Sequence, residues 1–226
     1  MIDNNVQSAP RELLRARRKG VAPSASLRRH FFALARQVRQ WADARPAPES
    51  GRGLAIGVTS LTRGAGKSTV SFNLAAAMTS MVRDQVLLIE SDFGKHFVSR
   101  RLGHAKAPGL SELLLDVAGL EEAVIATPTT NLFIMGAGRK SDQEALELPF
   151  DSLSHILGEK LNHFGAVVFD LPLANHLTAC HGIVPHLDGV ILTVESNQID
   201  QRGINRFRKQ LDSQGVEIIG VVLNKA

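Results

Sequence analysis

The 226-residue chain is poor in several residue types. It has one cysteine, one tryptophan and no tyrosine. The single Cys180 leaves no internal disulfide and no cysteine-based metal site, which excludes a disulfide scaffold and a zinc ribbon and makes a reducing, cytoplasmic setting the expectation. No run reaches the ~20 apolar residues that cross a bilayer, and MIDNNVQSAPRELL lacks the apolar stretch of a secretory signal. Membrane association is therefore expected to be peripheral or through a partner. What is present is 44% apolar and 21% charged residues, enough to bury a sizeable core.

Charge divides the chain. Residues 1–46 carry ten basic and three acidic side chains, and the remainder 16 basic and 19 acidic. The positive excess belongs to the N-terminal arm, which invites an acidic partner such as nucleic acid or an anionic lipid surface, or simply keeps the chain soluble. Within the arm, Pro23 to Ala42 reads as a helix with its centre at 26–41. Leu27, Phe31, Leu34, Ala35, Val38 and Trp41 recur on one face, with Arg28, Arg29, Arg36 and Arg39 on the other. Phe32 is apolar on the charged side. The stripe suits docking on the chain's own domain, or a membrane surface. The Pro/Gly/Ser-rich segment that follows puts a linker at 47–53 and a domain at 54–226.

That domain alternates apolar runs with amphipathic stretches. Strands are expected at 54–59, 85–89, 131–135, 166–170, 189–195 and 216–223, and helices at 69–82, 111–118, 152–163 and 201–214. Continuous Val/Ile/Leu runs imply strands buried on both faces, hence an α/β fold with a doubly wound, mostly parallel sheet and a ligand at the strands' carboxyl ends.

The strongest local signal is LAIGVTSLTRGAGKSTVSFNLAAAM, residues 54–78. A strand leads through Thr62, Arg63, Gly64, Ala65 and Gly66 to Lys67, Ser68 and Thr69 at a helix start, the context of a phosphate loop. There backbone N–H groups meet phosphate oxygens, Lys67 spans the outer phosphates and the Ser68 hydroxyl ligates Mg²⁺. Leu61 stands where the usual pattern has glycine. Glu90 and Asp92 end one buried run and Asp170 another, at the edge where a hydrated Mg²⁺ needs oxygen ligands; ordinary strand-end capping is the alternative.

These motifs, with VLLIESDF, VVFDLP, LDGVILTVESNQ and GVVLNKA, resemble the bacterial tyrosine kinases of capsule and exopolysaccharide synthesis, P-loop NTPases related to the MinD/ParA ATPases. The similarity spans roughly residues 52–226. Thr62 stands where partition ATPases carry a signature lysine, as in the tyrosine kinases. The resemblance implies ATP and Mg²⁺ as cofactors. It also implies a metal set of Ser68, Asp92 and Asp170, an adenine contact from Asn224, and a catalytic group of Lys67, Glu90, Asp92 and Asp170. Glu90 replaces the aspartate thought to activate the attacking hydroxyl, a shift of about an ångström for a base. Phe93, Gly94 and Lys95 are expected to form a distinct surface beside the nucleotide.

The family's tyrosine-rich tail is expected to have no counterpart, and with no tyrosine the chain is expected not to phosphorylate itself on tyrosine. Glu12, Arg15 and Arg18 fit the spacing of the family's ring-forming motif, a homo-oligomer, although 55 residues before Lys67. The resemblance also implies a membrane-embedded polysaccharide chain-length or export protein as partner. A partition or positioning ATPase that binds DNA or membrane through the basic arm is the competing reading, and an ATP-binding scaffold a third. His176, His181 and His186 beside Cys180 lack the convergence of a zinc site, and Arg139 and Lys140 read as a solvated loop.

Overall fold

A computed structural model describes residues 25–46, 51–174, 182–196 and 200–224. Seven strands form one sheet: β1 (Leu54–Ser60), β2 (Gln85–Glu90), β3 (Val124–Ala126), β4 (Leu132–Met135), β5 (Phe164–Asp170), β6 (Gly189–Glu195) and β7 (Ile218–Asn224). Their spatial order is β3-β4-β2-β5-β1-β6-β7. All neighbours run parallel except the β3–β4 pair at one edge.

The central strands are buried along almost their whole length, as the unbroken apolar runs require. One face is covered by α1 (Ala25–Asp43), α2 (Lys67–Met78) and α3 (Phe97–Arg101), through a core that includes Phe31, Ala35, Val38, Val70, Leu74, Met78 and Val98. The other is covered by α4 (Leu110–Leu114), α5 (Leu120–Ala123), a helical segment over 150–160 and α7 (Gln201–Asp212), around Leu113, Leu153, Phe164, Phe169, Phe207 and Leu211. Helices on both faces make the sheet doubly wound, as expected.

Several boundaries differ, each for a local reason. The helix expected at 111–118 ends at Leu114, because Asp116 takes a left-handed conformation (φ 53°) and the Glu122 carboxylate then accepts the Gly119 N–H to start α5. The stretch expected at 152–163 is a 3₁₀ turn (Phe150–Ser152), an α turn (α6, Leu153–His155) and a π turn (Ile156–Lys160) in succession. Neither α3 nor β3 is long enough to show a period, and neither was anticipated.

The apolar stripe of α1 docks on α2 and the sheet. Phe31, Ala35 and Val38 are buried, Leu34 and Trp41 pack beside them, and the Trp41 indole donates to Glu217 Oε1 at 2.5 Å. Arg45 also pairs with Glu217, its guanidinium stacked 4.1 Å from the Trp41 ring centroid. The stripe's membrane-facing alternative is thereby overturned. Among the described residues no helix is long and apolar enough to cross a membrane.

Truncating Phe31 to alanine empties this seam and is expected to cost about 3 kcal/mol of unfolding free energy in urea. Hydrogen exchange is expected to rise first in α1 and least in β1 and β5.

Candidate functional site

Strand and helix ends converge at the carboxyl edge of the sheet. After β1 the chain turns through 61–66 and enters α2 with Gly66 at φ +90° and Gly64 at φ +82°. Both angles suit glycine alone, and a Cβ on Gly66 would stand 2.1 Å from Asn224 Nδ2. No side chain caps the N-terminus of α2. Its first backbone N–H groups thus face the loop with the positive end of the helix dipole, the chemistry of an anion cradle.

Leu61, where a glycine was expected, packs its side chain against the apolar core and lies beside Gly203 of α7. Ser60 Oγ donates to the Thr62 carbonyl at 3.0 Å. Arg63 and Gly64 are exposed, Ala65 is buried and Thr69 is exposed on the first turn of α2. Asn224, at the end of β7, donates its amide to the Ala65 carbonyl at 2.9 Å and so pins the loop from the side.

Below the cradle lies a buried charge cluster. Lys67 is 6% exposed and its Nζ stands 2.9 Å from Asp92 Oδ2 and 3.5 Å from Asp170 Oδ1. Asp170 is 1% exposed. Burial pushes its carboxyl above the usual aspartate range, opposed by the Lys67 charge and by hydrogen bonds from the Ser68 and Ser71 side chains. The Ser71 hydroxyl reaches Asp170 Oδ1 at 3.1 Å. β1, β2 and β5 are tied together at this edge. Val58 and Glu90 both stand in register with Asp170, the Ser91 N–H and hydroxyl donate to the Asp170 carbonyl, and Thr59 Oγ1 donates to the Pro172 carbonyl.

Ser68, Asp92 and Asp170 offer hard oxygens beside an anion cradle, and the Lys67 ammonium already stands between the two carboxylates. That donor set fits Mg²⁺, which keeps several waters and takes one or two carboxylates together with phosphate oxygens. Among the described residues no group of three His, Cys, Asp or Glu side chains forms a metal cage by itself. A cation here would depend on phosphate oxygens for part of its shell.

Two expectations change. Glu90 is fully buried, and both its oxygens are engaged by the start of α3: Oε1 accepts the Val98 N–H and Oε2 the Ser99 N–H, the latter at 3.1 Å. A carboxylate committed to two amides caps a helix and is not poised as a base. The extra methylene relative to aspartate supplies the reach, and the spacing within VLLIESD carried no sign of these partners. Phe93 is not part of a surface beside the loop. It is buried in the core with its ring edge-on to Phe150, and only Gly94 and Lys95 are exposed.

Cys180, His176, His181, Glu12, Arg15 and Arg18 lie outside the described residues. His186 stands apart from the cluster, with Nδ1 2.6 Å from Ser154 Oγ and its pKa lowered by burial. Arg139 meets the Lys106 carbonyl and Lys140 pairs with Glu144 at the surface.

The raised Asp170 pKa has a defined sign. Folding favours its protonated form, so this contribution to stability is complete below the ordinary value of 3.8 and is lost as pH rises through the elevated folded value. Asp170→Asn is accordingly expected to unfold at higher temperature than wild type at neutral pH, with the gap closing as pH falls towards 3.8. Glu90→Gln is expected to cost about 1–3 kcal/mol and to speed hydrogen exchange at the Val98 and Ser99 amides.

No protein-family model matches the chain. Curated relatives do. Tyrosine-protein kinase CpsD of Streptococcus pneumoniae is 29% identical over 175 residues, 75% of each chain. Among solved structures, the VpsO kinase domain superposes with a TM-score of 0.71 at 27% identity, covering 89% of this chain and 97% of that one. The septum site-determining protein MinD of Pyrococcus horikoshii, complexed with Mg-ADP, shares the fold at a TM-score of 0.61 and 23% identity, over 76% of this chain and 70% of that one. The chain is thus a homologue of the bacterial tyrosine-protein kinases and shares the fold of their kinase domains, with MinD-type P-loop ATPases as further structural neighbours.

Proposed function

We propose that the chain binds ATP with Mg²⁺ at the 62–69 loop and hydrolyses it as a cytoplasmic component of capsule or exopolysaccharide synthesis. The observation that carries this reading is the uncapped start of α2, with left-handed Gly64 and Gly66 leading into it and Lys67 held over two carboxylates. Backbone N–H groups of the loop hold the phosphate chain, and Asn224 keeps the loop in shape from β7. The amide that Asn224 spends on Ala65 leaves its carbonyl oxygen as the acceptor for an adenine amino group.

Lys67 has two alternative sets of anions. One set is Asp92 and Asp170, which its ammonium neutralises in the structure. Phosphate oxygens draw it away, and the carboxylates it leaves are then free for a cation, with the Ser68 hydroxyl beside them. Ser68, Asp92 and Asp170 would hold Mg²⁺ there, and the ion would supply charge neutralisation for the outer phosphates. Asp92 and Asp170 would accept hydrogen bonds from waters that such an ion retains. Nucleotide and Mg²⁺ affinities are coupled because each favours the same Lys67 position.

None of the 226 residues is a tyrosine, so these residues offer no tyrosine acceptor, and water or another protein is the acceptor proposed for the terminal phosphoryl group. The resemblance to the capsule and exopolysaccharide kinases suggests a membrane-embedded chain-length or export protein as the partner that reads the nucleotide state, with this chain peripheral to the membrane through it and self-associated.

Phosphate release measured for wild type and Lys67→Ala, with and without the partner's cytoplasmic segment, tests the enzymatic reading. A loss on the order of 10²-fold or more in the variant is expected, and equal rates would sink the catalytic proposal. Asp92→Asn is expected to weaken Mg²⁺-dependent nucleotide affinity about five- to a hundredfold while metal-free binding changes little, as read by calorimetry with and without chelator.

A further inference from the structure

We propose that the outward face of α1 binds anionic phospholipid membranes directly, with Phe32 entering the interface between Arg28, Arg29 and Arg36. The inward face of this 19-residue helix is spent on the domain. What remains outside has an unusual composition. Arg28, Arg29, Phe32 and Arg36 are all exposed, Phe32 by 41%. At about 100° per residue they fall within one arc of roughly 100°, with the phenyl ring inside it. No acidic residue occurs between 25 and 42, and the first one, Asp43, is paired with Arg39 at 2.6 Å. Three guanidinium groups on this arc thus have no acidic neighbour on their own helix.

Charge complementarity calls for an anionic partner, and the ring decides which kind. Duplex nucleic acid rewards the arginines through its phosphates but offers a lone phenyl ring nothing on a backbone-tracking surface. A membrane interface rewards both. Arginines meet headgroup phosphates while their aliphatic stems lie along the acyl boundary, and an aromatic side chain enters that boundary. The face is convex, as a surface lying on lipid requires, and does not form the groove that an extended acidic peptide would occupy. Because Phe31, Ala35 and Val38 clamp α1 to α2, the bound helix would bring the phosphate loop's own helix close to the bilayer. The inference rests on α1 alone and stands whether or not the loop binds nucleotide.

Flotation of the full chain with phosphatidylcholine vesicles, with and without phosphatidylglycerol, provides the test. Binding is expected only with phosphatidylglycerol and is expected to weaken as salt rises. Each arginine near a charged surface contributes about fivefold, so R28Q/R29Q/R36Q is expected to lower the partition coefficient about a hundredfold. Phe32→Ala is expected to lower it about tenfold, and the arginine variant is expected to keep the wild-type thermal midpoint, since Arg28, Arg29 and Arg36 are exposed. Three results would overturn the proposal. One is equal flotation with both vesicle types, and another is a triple variant that floats like wild type. The third is Phe32→Ala matching wild type on vesicles, with duplex DNA displacing both alike, which would assign the face to nucleic acid.

Discussion

The Lys67 ammonium, buried between Asp92 and Asp170, is the interaction on which the carboxyl edge of the sheet depends. Two carboxylates brought together beneath an apolar sheet repel each other and lose hydration, and the raised Asp170 pKa reports that cost. A single mobile cation offsets it. Because lysine is a point charge on a flexible stem, the same side chain that settles the free protein can move to phosphates when they arrive. The fold explains why these groups meet: β2 and β5 are neighbours, β1 lies on the far side of β5, and the helix that follows β1 starts directly over their ends.

The rest of the edge keeps that cluster in place. Glu90 fastens the start of α3, and in doing so closes the loop that carries Asp92. Asn224 and Leu61 hold the phosphate loop from β7 and α7. Asp188 acts at the opposite edge, where it receives Arg52 through two nitrogens at 2.8 and 2.9 Å and also takes the Ala55 N–H. Glu90, Asp92, Asp170 and Asn224 at the carboxyl edge are matched to protein partners, while the cradle above them has amides turned towards the place a phosphate chain would take.

Much of this was readable in the sequence because the physics involved is local. Unbroken apolar runs mark strands covered on both faces, and β6 lies at the residues expected for it. Glycines before Gly66-Lys67-Ser68 mark a turn with left-handed residues, and the structure has them at Gly64 and Gly66. The losses come from contacts distant in sequence. Glu90 looks the same on paper whether it faces a metal or two amides eight and nine residues away. Phe93 follows a strand-end aspartate and so reads as loop, yet the chain turns it back into the core against Phe150. The stripe of α1 was legible as a face, but its partner on α2 was a matter of tertiary packing. Short elements such as β3 and α3 span fewer residues than one period needs to repeat.

The most direct test of the account is hydrogen exchange at the amides of residues 64–69, with and without MgADP. Protection is expected to concentrate on the Gly64–Thr69 amides and to be lost in Lys67→Ala. Unchanged exchange across this loop at saturating nucleotide, or protection confined to another part of the chain, would contradict it.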